Sequence, residues 1–286
     1  MSKNKHKDQI KIPFFIILIA KILYFFSIKW AEKFARKLFI TPIKHKAPKR
    51  EHHMEATALQ TRLFIKSIQK EIVVYEYGQA TKKVLLIHGW SGRGTQLVKI
   101  ADELISLGFS TVSFDAPAHG KSGTKTTIML EFISSILELE KKYGPFEFAV
   151  AHSLGAMSLL NAVKQGFQIK KGVLIGSGNS VDKIVADFIS KLKLPAKVGE
   201  QMKREFEKKY HAKMEDYAGY IAAKEVKTPM LVIHDKQDYE VPVDAAYGIA
   251  ENLENHQLII TEGLGHRKIL GDAKVIQHIT SFLVNN

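Results

Sequence analysis

Apolar positions change their period along this chain, and each change marks an element. "TRLFIKSI" (61–68) and "EIVVYEYG" (71–78) read as two short strands with a tight connection, expected to pair antiparallel. "KVLLIHG" (83–89) is a continuous apolar run, the pattern of a strand buried on both faces of a parallel sheet. Helical spacing follows in "TQLVKIADELISLG", then the strand "STVSFDAP", the helix "TIMLEFISSILELEKKYG", the strand "FEFAVAH", the helix "LGAMSLLNAVKQG" and the strand "KKGVLIGSG".

Residues 179–228 break this rhythm. They are rich in helix formers, with Val181, Ile184, Val185, Phe188 and Leu192 at helical spacing and Pro195 dividing the stretch. The alternation resumes with the strand "PMLVIHD", the helix "DAAYGIAENLE", the strand "HQLIITEG" and a C-terminal helix from about residue 272. Strands alternating with helices predict an α/β fold with a doubly wound, mostly parallel eight-stranded sheet. Sites in such sheets form at the carboxyl ends of the strands. The interrupting segment would then be a small helical cap over those ends.

The N-terminal residues follow a different pattern. Polar "MSKNKHKDQIK" precedes "IPFFIILIAKILYFFSI" (12–28), apolar apart from Lys21 and Ser27, and then "KWAEKFARKLFI". As a helix, the last stretch places Trp30, Phe34 and Leu38 on one face and Lys29, Lys33 and Arg36 away from it. A hydrophobic helical arm followed by a basic amphipathic helix suits an anionic membrane surface. No small-x-small site follows the apolar run, which argues against a cleaved signal peptide. As a spanning helix, residues 12–28 would rise ~25 Å against a hydrocarbon core of ~30 Å, with Lys21 near the middle. Residues 1–50 are therefore read as a membrane-associating arm and linker, "TPIKHKAPKR" (41–50) being extended, and residues 51–286 as the α/β domain with its cap at 179–228. A soluble helical extension packed on the body is the other reading of the arm.

Charge sharpens this division. The formal net charge is +13, but residues 1–50 carry 13 Lys and Arg against only Asp8 and Glu32, while the remaining residues carry 29 against 27. A nucleic-acid-binding domain carries its basic residues on the folded body, so the pattern argues against nucleic acid as a partner. The absence of cysteine excludes disulfides and thiolate metal sites and fits a reducing compartment.

The chemistry gathers at the strand ends. "VLLI" leads into His88-Gly89-Trp90-Ser91, "FAVA" into His152-Ser153-Leu154-Gly155, "MLVI" into His234-Asp235-Lys236-Gln237-Asp238, and "LIIT" into Glu262-Gly263-Leu264-Gly265-His266. Serine, acid and histidine each occupy a loop on the same predicted edge, in that chain order. Acyl transfer at serine needs this set: the imidazole takes the hydroxyl proton and returns it to the leaving group, and a carboxylate orients the imidazole. The acid is either Asp235 or Asp238. Two backbone N–H groups must meet the oxyanion, and the amides of Trp90 and Leu154 are the candidates. Small residues flank Ser153 at two-residue spacing, Ala151 and Gly155, as a strained strand–turn–helix requires. No metal-ligand cluster is visible in the sequence, and "GWSGRG" lacks a lysine at Walker spacing, so no metal or other cofactor is implied.

The motifs "IHGWSG", "FDAPAHGKS", "AHSLGA", "DYEVP" and "GLGH", in this order over roughly residues 60–285, resemble those of the α/β-hydrolase family, nearest its esterase and monoacylglycerol-lipase-like branch. The resemblance implies Ser153 as nucleophile, Asp238 as acid, four residues before Pro242, and His266 as base, with the Trp90 and Leu154 amides as oxyanion hole. Asp235 is then a turn residue, His152 lines the wall, and His88 and His119 hold loops. Two positions depart from the pattern: Ala151 begins the G-x-S-x-G element, and Ala118 stands where the family often has glycine. A serine at 153 excludes the dehalogenases and epoxide hydrolases of this fold, which need aspartate there.

The expected activity is hydrolysis of a carboxylic ester, with lipids and acylglycerols as the substrates the membrane-directed arm suggests, through an acyl-enzyme. The partners are a small-molecule ester or lipid and a membrane surface, with the hydrolase domain on the cytoplasmic side. Thioesterase or acyltransferase activity would use the same triad. A non-catalytic membrane-associated binding protein on this scaffold is the alternative of another class.

Overall fold

The computed structural model describes residues 12–285. Its strands are β1 (Leu59–Ile65), β2 (Lys70–Tyr77), β3 (Lys83–Ile87), β4 (Ser110–Asp115), β5 (Phe148–His152), β6 (Lys171–Ile175), β7 (Met230–Asp235) and β8 (His256–Thr261). They form one sheet in the order β1-β2-β4-β3-β5-β6-β7-β8. β1 pairs antiparallel with β2, and β2 with β4; every other neighbour is parallel. The α/β architecture with a mostly parallel eight-stranded sheet is the one the apolar pattern predicts.

The continuous apolar runs have their reason in the two-residue period of a strand. Leu85, Ile87, Ala149, Ala151 and Leu174 point to one face, against α5 (Met129–Tyr143) and α6 (Leu154–Lys164). Val84, Leu86, Val150, Val173 and Ile175 point to the other, against α4 (Val98–Ser106) and α12 (Ala273–Val284). Both faces are covered, so a polar side chain in the middle of these strands would need a buried partner. Leaving β3 the chain turns to β4 on one side, then crosses to β5 on the other, which opens a crevice at the carboxyl ends of the strands.

Between β6 and β7 run α7 (Val181–Lys191), α8 (Ala196–Tyr210) and the short α9 (Gly219–Ala223), and α10 (Asp244–Ala250) joins β7 to β8. Ser180 starts α7 by accepting a hydrogen bond from the Lys183 amide. Lys193, at φ +55°, turns the chain out of α7, the Lys193 and Leu194 amides donating back to the Ser190 and Ile189 carbonyls, and Pro195 leads into α8 with a fixed φ that suits its start.

The arm forms two helices, α1 (Phe14–Phe26) and α2 (Ile28–Phe39), broken at the extended Ser27. Neither is long and apolar enough to cross a membrane, and no other helix among the described residues is. Ala20, Ala31 and Ala35 are fully buried in a cluster with Val185, Ile189, Val198, Met202 and Phe206 of α7 and α8. Alanine recurs at this seam because small side chains let helices approach closely. The face expected for α2 is corrected here: Phe34 and Leu38 pack inward, but Trp30 is exposed, since the buried stripe centres on Ala31 and Ala35. Glu32 lies under that stripe, paired with Arg36 at 2.6 Å.

Residues 42–48 have neither helix nor strand and run over the carboxyl ends of the strands. The Ile43 amide donates to Oγ of Ser91 at 3.0 Å, and Lys44 donates to the carbonyls of Gly120 and Ser122. Next come a single 3₁₀ turn at Lys49–Glu51 and α3 (His52–Thr57), which the apolar pattern did not announce.

Candidate active site

Ser153 sits between β5 and α6 with φ 55° and ψ −120°, a conformation that holds its Oγ out of the turn. The bend brings α6 hard against the end of β3. A Cβ at Gly155 would overlap the His88 carbonyl, and one at Gly89 would stand 2.8 Å from the Ser153 Cβ. Glycine at 89 and 155 is therefore a requirement of close approach rather than of backbone freedom.

His266 follows β8 at the start of the short α11 (Gly265–Lys268), and Asp238 lies in the loop after β7. Residues distant in sequence meet here. Nε2 of His266 is 3.0 Å from Oγ of Ser153, and its Nδ1 is 2.6 Å from Oδ2 of Asp238. Nδ1 faces a carboxylate and so carries the proton, which leaves the Nε2 lone pair for the serine hydroxyl. Asp238 and His266 are buried, Ser153 half-buried. Burial would raise the Asp238 carboxyl, but hydrogen bonds from His234 and His266, the charge of His266 and the Val241 amide together hold it below the usual carboxylate range. Its Oδ1 accepts from the amides of Glu240 and Val241 at 2.9 and 2.8 Å.

Asp235 takes no part in this contact. It accepts from the Gln237 and Leu264 amides and the Thr261 hydroxyl, tying the loop after β7 to the loop that carries His266.

Three further residues touch the site, and the motif reading missed two of them. Nε2 of His234 points at two acceptors, the Val241 carbonyl at 2.9 Å and Oδ2 of Asp238 at 3.3 Å, so it braces the acid. His152, adjacent to the serine, directs Nε2 to the carbonyl of His266 at 2.9 Å. Gly176 ends β6 with φ +57°, and a Cβ there would stand 3.2 Å from Nδ1 of His266 and 3.6 Å from Oδ2 of Asp238. The "GSG" that includes Gly176 was the one available signal, since a glycine beside a site marks close approach.

The loop after β3 is held from several sides. His119 accepts the Ser91 amide at 2.9 Å, the Gly89 carbonyl accepts the Gly92 amide, and Oδ1 of Asp115 accepts the Gly94 amide at 2.7 Å. His88 joins the loop to β4, accepting the Ala116 amide at 3.0 Å. Arg93 is paired with the buried Glu51 at 2.9 Å, and Thr95 donates to the same carboxylate at 2.7 Å. Arg93 is thus occupied by the chain itself. Leu154 heads α6, so its N–H is one that the helix leaves without an internal partner.

A groove of about 540 Å³ runs between α7 and α8, lined by Val185, Ile189, Leu194 and Gly199 among others, and none of Ser153, Asp238 or His266 borders it. Among the described residues no group of three His, Asp or Glu side chains is placed to hold a metal ion.

Comparison with known proteins places the fold. Residues 84–273 match the model of the alpha/beta hydrolase family. Among solved structures, an esterase of Pyrococcus furiosus superposes with a TM-score of 0.66 at 17% identity, over 85% of this chain and 98% of that one. An esterase of Exiguobacterium antarcticum gives a TM-score of 0.61 at 17% identity, over 79% and 99%. A bromoperoxidase of Bacillus anthracis gives 0.61 at 16% identity, over 80% and 100%. At such identities the likeness is one of fold. Among curated protein sequences none matches the chain.

Proposed function

The chain belongs to the alpha/beta hydrolase family, and from that premise we propose that it is a serine hydrolase cleaving carboxylic esters, lipid esters among them, through an acyl-enzyme. The observation that carries this reading is the unbroken hydrogen-bonded line from Ser153 Oγ through His266 to Asp238, with distances of 3.0 and 2.6 Å.

In this reading Ser153 Oγ attacks the ester carbonyl carbon while its proton passes to Nε2 of His266. The Asp238 carboxylate stabilises the imidazolium, and the oxyanion is met by the Leu154 and Trp90 amides. The amides of Ser91, Gly92 and Gly94 already have partners, which supports Trp90 as the donor from that loop. Collapse expels the alkoxide, which takes the proton from His266 and leaves as the alcohol. Water then attacks the acyl-enzyme with His266 as base, and the carboxylic acid departs. Each oxyanion donor of this kind contributes roughly 3–4 kcal/mol. A membrane surface, met through α1 and α2, is the second partner in this reading.

The test is labelling of the purified chain by a fluorophosphonate, compared with Ser153→Ala and His266→Ala, followed by turnover of p-nitrophenyl esters, acylglycerols and thioesters. Stoichiometric labelling lost in both variants supports the reading. A folded chain that does not label, or a Ser153→Ala variant that still turns over esters, overturns it. Preference for thioesters, or for an alcohol over water as acceptor, would move the substrate class without moving the triad.

A further inference from the structure

α1 is packed on one side only. Ile16, Ala20, Leu23 and Tyr24 turn to the cap, and Lys197 of α8 lies 5.3 Å over the Tyr24 ring. The opposite side is open to water and almost wholly apolar: Phe14, Phe15, Leu18, Ile22, Phe25 and Phe26 are all exposed, Phe25 by 83% and Phe14 by 77%. At 100° per residue these six fall within an arc of about 120°, and Lys21 projects just beyond its rim. The neighbouring α2 exposes Lys29, Lys33 and Lys37 beside Trp30. Among the described residues none of these four lysines enters an ion pair.

A contiguous apolar face of this extent marks an interaction surface, and the lysines beside it select the occupant. A second copy joined face to face would bring its own lysine ridge alongside this one, like charge near like. An anionic lipid surface instead meets apolar side chains with acyl chains, lysines with phosphates and Trp30 with the interfacial zone. The 13 residues of α1 rise about 20 Å, so the helix lies along the interface rather than across the core.

The inner side of this hairpin is a wall of the cap. Phe39 at the end of α2 meets Phe188 of α7 and Phe206 of α8 edge-on, with centroids 5.1 and 6.4 Å away. Four residues later the Ile43 amide holds Ser91, the neighbour of Trp90. Lipid seat, cap and the loop after β3 are therefore joined through packed side chains and one hydrogen bond.

We propose that the α1–α2 hairpin seats the protein on an anionic bilayer with α1 lying in the interface, and that this seat, through the cap it carries, gives Ser153 access to esters held in the same bilayer. The second half rests on the Ser153 reading above; the first does not.

The full chain would be sedimented with vesicles of phosphatidylcholine alone and with added phosphatidylglycerol. Phe25→Ser/Phe26→Ser and Lys29→Ala/Lys33→Ala/Lys37→Ala variants would be compared, with circular dichroism and fluorophosphonate labelling reporting their fold. The expected result is binding to the anionic vesicles that weakens on the order of a hundredfold in the double phenylalanine variant. The triple lysine variant and added salt should weaken it too. Turnover of a long-chain ester in those vesicles should fall in step, while a soluble short-chain ester is cleaved as before.

Wild-type protein left in the supernatant, or a phenylalanine variant that sediments as well as wild type, overturns the seat. A concentration-dependent dimer abolished by the same variant, without vesicle binding, assigns the face to a second copy and overturns it as well. Loss of binding with undiminished turnover of the vesicle-held ester overturns the link to the cap. Vesicle binding by a folded chain that no fluorophosphonate labels leaves the seat standing and removes the Ser153 reading.

Discussion

Nε2 of His152 lies 2.9 Å from the carbonyl oxygen of His266, so the side chain next to the serine holds the backbone of the imidazole that faces it. The rings sit with centroids 4.5 Å apart, tilted by 45°. His234 does the equivalent for Asp238. Both histidines leave Nδ1 buried without a partner, so neither ring can rotate to offer its other nitrogen at lower cost. His152→Phe and His234→Phe keep the bulk and remove the donor. His234→Phe should lower kcat about tenfold or more with KM little changed, because a hydrogen bond to a charged group is worth roughly 1.5–3 kcal/mol, and His152→Phe, whose bond is to a neutral carbonyl, should lower it by about threefold. Steady-state kinetics on a soluble ester check this, and a change confined to KM would contradict it.

Gly176 leaves room for the histidine–aspartate contact. Alanine there combines a positive φ with a Cβ 3.2 Å from Nδ1 of His266. Gly176→Ala should cost about 1–2 kcal/mol of stability from the backbone alone. It should also slow fluorophosphonate labelling, since the imidazole must shift away from Ser153. Unchanged labelling with lowered stability would limit the role of Gly176 to the turn.

Glu51 is 1% exposed and holds both Arg93 and Thr95, which links the segment before α3 to the loop that carries Trp90. Glu51→Ala leaves Arg93 largely buried without its partner and should destabilise by roughly 3–5 kcal/mol. The urea midpoint measures this. The Glu51→Ala/Arg93→Met double variant should recover part of the loss, because it removes the stranded charge.

Stability should fall as pH is lowered from 7 toward 4. Burial, the largest cause for each, pushes His88, His119 and His152 down, His119 to about 4. Unfolded, the same imidazoles titrate near 6.5. Below about pH 6.5 the unfolded chain therefore binds more protons than the folded one, and each group contributes a slope of up to about 1.4 kcal/mol per pH unit; above it they contribute none. Asp238, depressed in the fold, adds its own loss only as pH falls below about 4, where the unfolded carboxyl takes up its proton. Urea midpoints at pH 7, 6 and 5 test this, and a flat series would contradict it.

Much of this protein could be read from its residues alone. Unbroken apolar runs in "KVLLI" and "FAVA" required strands covered on both faces, and that requirement leads to a mostly parallel sheet with its chemistry at one edge. The order of polar residues at the strand ends pointed to Ser153, His266 and either Asp235 or Asp238, because an element boundary and a polar residue beside it are local features of a sequence, and the choice of Asp238 came only with the family resemblance. Contacts across long separations were not legible. Nothing near Glu51 announces Arg93, 42 residues on, and nothing near His152 announces the carbonyl 114 residues away. The arm shows the same limit. Its apolar content is plain in "FFIILIAKILYFF", yet which face is covered and which meets water was decided by where α7 and α8 lie, and a helix period alone carries no direction in space.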